Sequence, residues 1–276
     1  MTADTALSGA SPDAAVRVTA LCKTFRVADG FFGRKKDFAA VRDVGLSVPK
    51  GATLGIIGES GSGKTTVARM LAGLLTPTSG DVLITGAPVF DARGRTTAAG
   101  RTAAQMVFQD PYSALNPRMN VRSILAEPLT VAPRASRPEI ARRVAELTDQ
   151  VGMSAAALEK YPHEFSGGQR QRLVIARALA RKPQVLICDE PVSALDVSIQ
   201  SQILNLLKDL QEELGLTYVF IGHGLESVHF MSDRISVMYK GAVVEHGTAD
   251  DILHRPGHEY TRRLIESSRA EPFRTR

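Results

Sequence analysis

The chain has no stretch of about eighteen apolar residues, so no segment of it can cross a bilayer as a helix. Cysteine is nearly absent. Cys22 and Cys188 are the only two, each in an apolar, strand-like setting, which points to buried reduced thiols rather than a disulfide. The first residues include Asp4 and Asp13 and have neither a cationic start nor an apolar run, so no secretory leader is expected. No internal repeat is present. No basic stripe is interleaved with aromatics in the manner that reads single-stranded nucleic acid. Together these absences favour a cytoplasmic globular protein, and a hydrophobic fraction of 43% is ordinary for one with a real core. The net charge of +5 is partly spent at the edges, in Arg34-Lys35-Lys36 and in Arg255, Arg262, Arg263, Arg269, Arg274 and Arg276. Such a surface suits nucleic acid or an anionic membrane face, although a solvated face is its commoner meaning.

What the chain does have is Gly58-Glu59-Ser60-Gly61-Ser62-Gly63-Lys64-Thr65, followed by Thr66. The string reads G-x-x-x-x-G-K-[ST], the phosphate-binding P-loop. Its four fixed positions arise by chance in roughly one chain of this length in a hundred, so its context decides. Before it, residues 53–57 are apolar and read as a buried strand; after it, Val67, Met70, Leu71 and Leu74 recur at helical spacing over 67–75. The glycines let backbone N–H groups turn inward on a phosphate, and the helix start adds the positive end of a dipole. Lys64 is placed to meet the outer phosphates and the Thr65 hydroxyl to hold Mg²⁺.

Around this loop the rest of the chain falls into segments. Residues 1–15 lack periodicity and read as a disordered tail. Strands are expected over 16–21 and 41–48, with a glycine-containing basic loop over 27–37 between them. Phe25, Phe31, Phe32 and Phe38 lie in this region, and a flat apolar ring suits a purine base as well as it suits packing. Strands follow over 81–85 and 105–108, separated by a polar loop over 91–103. Over 112–180 alternation gives way to helical spacing, which reads as a helical insertion. Near its end Ser166 stands where an N-cap belongs, with Gln169 three residues on, so a second anion-receptive helix tip is expected there.

The strand 185–188 then ends in Asp189-Glu190, and burying carboxylates is costly unless they are paired or hold a metal. An amphipathic helix runs through Ile199, Ile203, Leu206, Leu207, Leu210 and Leu214. His223 follows the strand 218–221 directly, at the carboxyl end where open α/β sheets bind ligands. A hairpin over 235–239 and 242–246 and a short helix over 258–266 complete the chain.

At this point the sequence resembles the nucleotide-binding subunits of ABC transporters, over about residues 16–265. The residues Phe165-Ser166-Gly167-Gly168-Gln169-Arg170-Gln171-Arg172 are similar to the signature that other P-loop NTPases lack. Ser193-Ala194-Leu195-Asp196 resembles the D-loop, Gln109 the Q-loop glutamine and His223 the switch histidine. Within the family the likeness is to oligopeptide, dipeptide and nickel importer ATPases. It rests on Phe108-Gln109-Asp110-Pro111-Tyr112-Ser113-Ala114-Leu115-Asn116-Pro117, Tyr161-Pro162-His163-Glu164-Phe165, Asp196-Val197-Ser198-Ile199-Gln200 and His258-Glu259-Tyr260-Thr261.

The resemblance implies an α/β P-loop NTPase with a RecA-like mixed-sheet core, an antiparallel β subdomain and an inserted α-helical subdomain. Its ATPase domain would span 16–250, followed by a short helical extension over 251–276. It further implies ATP bound with Mg²⁺ between two subunits arranged head to tail. Ser166, Gly167, Gly168 and Gln169 of one subunit would face the P-loop residues 58–66 of the other, with Asp196 helping to join the two sites. Thr65, Gln109 and Asp189 would hold the ion, Glu190 and His223 would act on water and the γ-phosphate, and Phe25 is the best match to the adenine-stacking ring. Implied partners are integral membrane permease subunits, a second ATP-binding subunit and, indirectly, an extracytoplasmic solute-binding protein, with the chain peripheral on the cytoplasmic face. The competing readings are a soluble ABC ATPase acting on nucleic acid or ribosomes, and a degenerate, non-hydrolysing cassette. The first usually needs two cassettes or a long coiled coil, and the second is opposed by Glu190, Lys64 and His223. Gly224 stands where the family usually has Asp, and Gly222 where it often has Ser; both bear on how His223 is held. The C-terminal cysteines of many peptide-type relatives are missing, so a metal cluster of that sort is not expected.

Overall fold

In the computed structural model, which describes residues 14–29, 34–130 and 135–270, the chain opens with two long antiparallel strands, β1 (Ala14–Asp29) and β2 (Arg34–Pro49). Next come β3 (Thr53–Ile57), α1 (Lys64–Leu71), β4 (Ser79–Ile84), β5 (Ala87–Pro88), α2 (Ala98–Ala103) and β6 (Ala104–Val107). The helical insertion contains α3 (Pro111–Ala114), α4 (Val121–Thr130), α5 (Arg137–Gln150), two short 3₁₀ turns and α6 (Gly167–Leu179). Then follow β7 (Val185–Asp189), α7 (Val197–Leu214), β8 (Thr217–Ile221), α8 (Leu225–Met231), β9 (Arg234–Tyr239), β10 (Ala242–Thr248), α9 (Ala249–His254) and α10 (Glu259–Ala270).

The strands form two sheets, a four-stranded antiparallel one in the order β2-β1-β4-β5 and a six-stranded one in the order β10-β9-β3-β8-β7-β6. In the second sheet only β10 runs antiparallel to its neighbour. Its central strands β3, β7 and β8 are buried along their whole length, as expected of strands covered on both faces. The pleat divides their side chains between two cores. Leu54, Ile56, Val185, Ile187, Val219 and Ile221 pack with α1 and the antiparallel sheet. Leu186, Cys188, Tyr218 and Phe220 pack with the helical insertion and α7. One P-loop helix is thus clamped between two sheets, while the insertion is bolted to the other face.

Several sequence expectations need correction. The residues read as a loop over 27–37 belong to strands as far as Asp29 and again from Arg34. Cross-strand pairing of Phe25 with Phe38 and Arg26 with Asp37 overrides the local composition there. Ala14 and Ala15, assigned to the tail, lie in β1, and residues 1–13 lie outside the described residues, as do Phe31 and Phe32. The first helix starts at Lys64 and ends at Leu71, four residues before the expected end, where Gly73 takes a positive φ. The polar stretch 91–103 contains α2, whose start is capped by the Thr97 hydroxyl accepting the Gly100 N–H at 2.9 Å. Cys22 is only half-buried and its Sγ accepts the Asp43 N–H, whereas Cys188 is fully buried, which pushes its thiol up to about 12. A boundary at residue 250 would cut through α9, and α10 buries Tyr260, Thr261 and Ile265 against the rest. Residues 251–270 are therefore packed into the domain, and 271–276 lie outside the described residues.

Candidate functional site

Strands β6, β7, β8 and β3 are neighbours, and their carboxyl ends deliver Gln109, Asp189-Glu190, His223 and the P-loop to one edge of the sheet. The loop leaves β3 at Gly58 and enters α1 through Gly63, which has φ +107. A side chain at Gly63 would also meet the Ala40 carbonyl oxygen at 2.6 Å, so only glycine fits this close approach. Gly63 supplies no side-chain cap, and the first N–H groups of α1 face the loop without one.

Inside the loop, Lys64 Nζ donates to the carbonyl oxygens of Gly58 at 2.7 Å and Glu59 at 2.9 Å. Burial pushes the Lys64 ammonium below its usual range, while Glu190, Asp189 and Glu59 pull it back up. The Ser62 Oγ is buried and has no hydrogen-bond partner among the described residues. An uncapped helix tip, an orphaned hydroxyl and a folded-back lysine form a cradle that fits a chain of phosphates. Glu59, Ser60 and Gly61 remain exposed at its rim, and Thr66 lies half-buried on α1 behind Thr65.

Beside the cradle, the Thr65 hydroxyl donates to Asp189 Oδ1 at 3.2 Å. Asp189 is 5% exposed, and burial pushes its carboxyl above the usual range, with Glu190 adding to the rise and Thr65 opposing it. A hard cation held by this oxygen pair would offset that burial, so the donor set fits Mg²⁺. Gln109 is the third residue expected to hold the ion. Its Nε2 donates to Glu190 Oε2 at 2.8 Å. The Nδ1 of His223 lies 3.3 Å from the same oxygen.

Glu190 itself has φ +50, unusual for a residue with a side chain. The turn is fixed by its N–H donating to the Ile221 carbonyl at 2.9 Å and by the Ser193 hydroxyl donating to the Glu190 carbonyl at 3.1 Å. His223 is exposed, and Gly224 caps α8 immediately after it with an ordinary φ of −77. At Gly222 an added Cβ would meet Val228 Cγ2 at 2.7 Å, so the packing of α8 demands the small residue there.

The remaining predicted residues sit elsewhere. Ser166 caps α6, its Oγ accepting the Gln169 N–H at 3.3 Å and its own N–H donating to Gln169 Oε1 at 3.0 Å. Ser166, Gly167 and Gln169 are exposed and Gly168 is buried. Asp196 is exposed at the start of α7. Phe25 lies in the outer sheet, opposite Phe38 and with Lys23 Nζ 5.3 Å from its ring centre.

Two contacts were not foreseen. The Tyr260 hydroxyl, on α10, accepts the Glu59 N–H of the P-loop at 2.9 Å, and its ring packs 4.1 Å from that of Tyr239. Its motif His258-Glu259-Tyr260-Thr261 is one of the strings that carry the resemblance to peptide importer ATPases. The second contact is the Arg170 guanidinium, 4.0 Å from the centre of the Tyr112 ring, while its Nε donates to the Pro162 carbonyl at 2.7 Å. It joins α6 to the segment just after Gln109.

Residues 41–193 match the ABC transporter family. The chain is 48% identical over 254 residues to a putative peptide import ATP-binding protein of Brucella abortus (strain 2308), covering 91% of this chain and 76% of that one. It is also 48% identical over 247 residues to the oligopeptide transport ATP-binding protein OppF of Escherichia coli (strain K12), covering 88% and 74%. Among solved structures, a dimeric post-hydrolysis state of the ATP-binding cassette MJ0796 bound to ADP and Pi superposes with a TM-score of 0.73 at 29% identity, covering 85% of this chain and 98% of that one. CbiO1 of Clostridium perfringens, part of the transporter complex cbiONQ, gives a TM-score of 0.74 at 26% identity, covering 94% and 96%.

Proposed function

The chain belongs to the ABC transporter family, and from that premise we propose that it is the ATP-hydrolysing subunit of a membrane importer for oligopeptides, dipeptides or a related small solute. Among the described residues no helix is long and apolar enough to cross a membrane, so force on the solute passes through separate permease subunits. The solute-binding protein outside the membrane and the membrane subunits then choose the cargo. The import names of the relatives leave the nucleic-acid reading without support.

The observation that carries the chemistry is the meeting of Gln109 and His223 on one oxygen of Glu190, beside the uncapped tip of α1. With Oε2 so engaged, the carboxylate is held in one orientation and Oε1 is left to polarise a water. Lys64, Ser62 and the loop amides take the phosphates of ATP and spread the charge that develops on the outer one. Thr65, Asp189 and Gln109 would hold Mg²⁺, directly or through water, and the ion would neutralise phosphate charge. His223, exposed beside Glu190, would bridge that carboxylate and the γ-phosphate.

The second half of the site comes from another subunit. Ser166 and the tip of α6 are exposed and, among the described residues, hydrogen-bond to no residue of the P-loop, which suits a head-to-tail pair closing on two ATP molecules. Asp196 lies exposed at the head of α7 and joins the halves. Phe25 is the ring assigned to the adenine. Purified chain with MgATP should release phosphate, and Glu190→Gln should bind ATP, stop turning over and accumulate as a dimer in gel filtration. Turnover near the parent rate in that variant would remove Glu190 from its role.

A further inference from the structure

Away from the nucleotide loop, α8 and α9 lie side by side and bring together His229, Asp250 and His254. Their two imidazoles and one carboxylate each offer a ligand atom, and all three atoms lie within 4.8 Å of one another. Asp250 and His254 are one helical turn apart on α9, so they share a face. From α8, His229 Nε2 reaches Asp250 Oδ1 at 2.8 Å, and its ring stands edge-on to that of His254 with centres 6.2 Å apart. An ordinary surface pair would account for His229 and Asp250. It gives no reason for a second imidazole one turn on, with a ring nitrogen within 4.8 Å of both other ligand atoms.

We propose that His229, Asp250 and His254 bind a divalent transition-metal ion of the zinc class and clip α8 to α9. Imidazole nitrogen with one carboxylate oxygen is a donor set for Zn²⁺, Co²⁺ or Ni²⁺, and it differs from the hydroxyl–carboxylate pair of Thr65 and Asp189 that suits Mg²⁺. With bonds of about 2.0–2.2 Å, ligands around a tetrahedral ion sit roughly 3.4 Å apart. His254 is exposed and closes the remaining gap by turning its ring, and a water fills the fourth position. The place of the clip matters as much as its chemistry. Helix α8 begins at Leu225, two residues after His223, so the ion ties the segment that carries His223 to α9.

The test is titration of the full purified chain with Co²⁺ alone and then Zn²⁺, in excess Mg²⁺ to fill the oxygen site. One Co²⁺ per chain should give visible d–d absorption that Zn²⁺ abolishes, and Zn²⁺ should raise the melting temperature. His254→Ala removes an exposed ring, so it should fold normally and melt with the parent in the absence of transition metal. It and His229→Ala should each lower Co²⁺ affinity at least tenfold and lose the Zn²⁺-dependent rise in melting, while His258→Ala should match the parent. Absence of the absorption band, or equal Co²⁺ affinity in His254→Ala and the parent, overturns the site.

Discussion

Helices α1 and α6 both begin where an anion can be held, and they begin in opposite states. The tip of α1 is half-buried at the edge of the sheet and entered through a glycine that cannot cap it. The tip of α6 is exposed and already carries its own cap, Ser166 and Gln169 serving each other. The orphan N–H groups of a helix start must be met by something. In α1 that something is left to a ligand. In α6 the chain meets part of the need itself, so the tip holds its shape in water without a partner. In the proposed pair, one half of the site would be finished by its nucleotide, and the other is finished in advance and displayed.

This contrast can be broken experimentally, beginning with the hollow tip. Glu190→Gln should cut phosphate release by about a hundredfold or more while leaving ATP bound; filter binding alongside a phosphate assay separates the two. Lys64→Ala removes a charged donor, so ATP affinity should fall roughly ten- to a hundredfold; calorimetric titration giving an unchanged affinity would detach Lys64 from the phosphates.

Glycine exchange compares the tips directly. Gly63→Ala forces a side chain at φ +107 onto the Ala40 carbonyl and should cost about 1 kcal/mol or more in a urea melt. Gly167→Ala meets only the Leu195 Cδ2 at 3.3 Å, so it should cost less than the Gly63 change in the same melt. At the finished tip, Ser166→Ala should lower stability by about 1 kcal/mol whether or not nucleotide is present, because the cap works in the empty chain. A loss seen only with ATP would mean that Ser166 serves the ligand and not its own helix.

The smallest effect concerns pH. Burial raises Asp189 above its ordinary 3.8, so the folded empty chain binds a proton more readily than the unfolded one. The stability this lends is fully present below the unfolded value and is lost as pH rises through the raised one. Asp189→Asn should therefore make the empty chain more stable than the parent near neutral pH, with the difference shrinking in acid. A gap that widened in acid would give the sign the other way.

Much of the site was legible because its chemistry needs particular residues in short strings. The P-loop, the acidic pair at the end of β7 and the capping residues of α6 are local, and local strings survive being read without a fold. The misses share a different cause. Helices α8 and α9 span only seven and six residues, too short to show a helical period. The outward half of the first hairpin is held by pairing across to β2, which composition does not report. The φ of Glu190 is imposed by the Ile221 carbonyl on the next strand, and the Tyr260–Glu59 contact joins residues 201 apart. The turn of the Gln109 amide to Glu190 joins two strand ends 81 residues apart, which no local string reports.

The stacked Tyr112 and Arg170 give the segment after Gln109 a mechanical character. One end is fastened to Glu190 through Gln109, and the other end is fastened to α6 three residues later. Between them Asp110 Oδ1 accepts the Tyr112 N–H at 2.9 Å, and Pro111 fixes its own backbone torsion. Three residues span at most about 11 Å even when drawn straight. The strut is short, so a large displacement of the carboxylate at one end must either pull on the helical insertion or let go of an anchor.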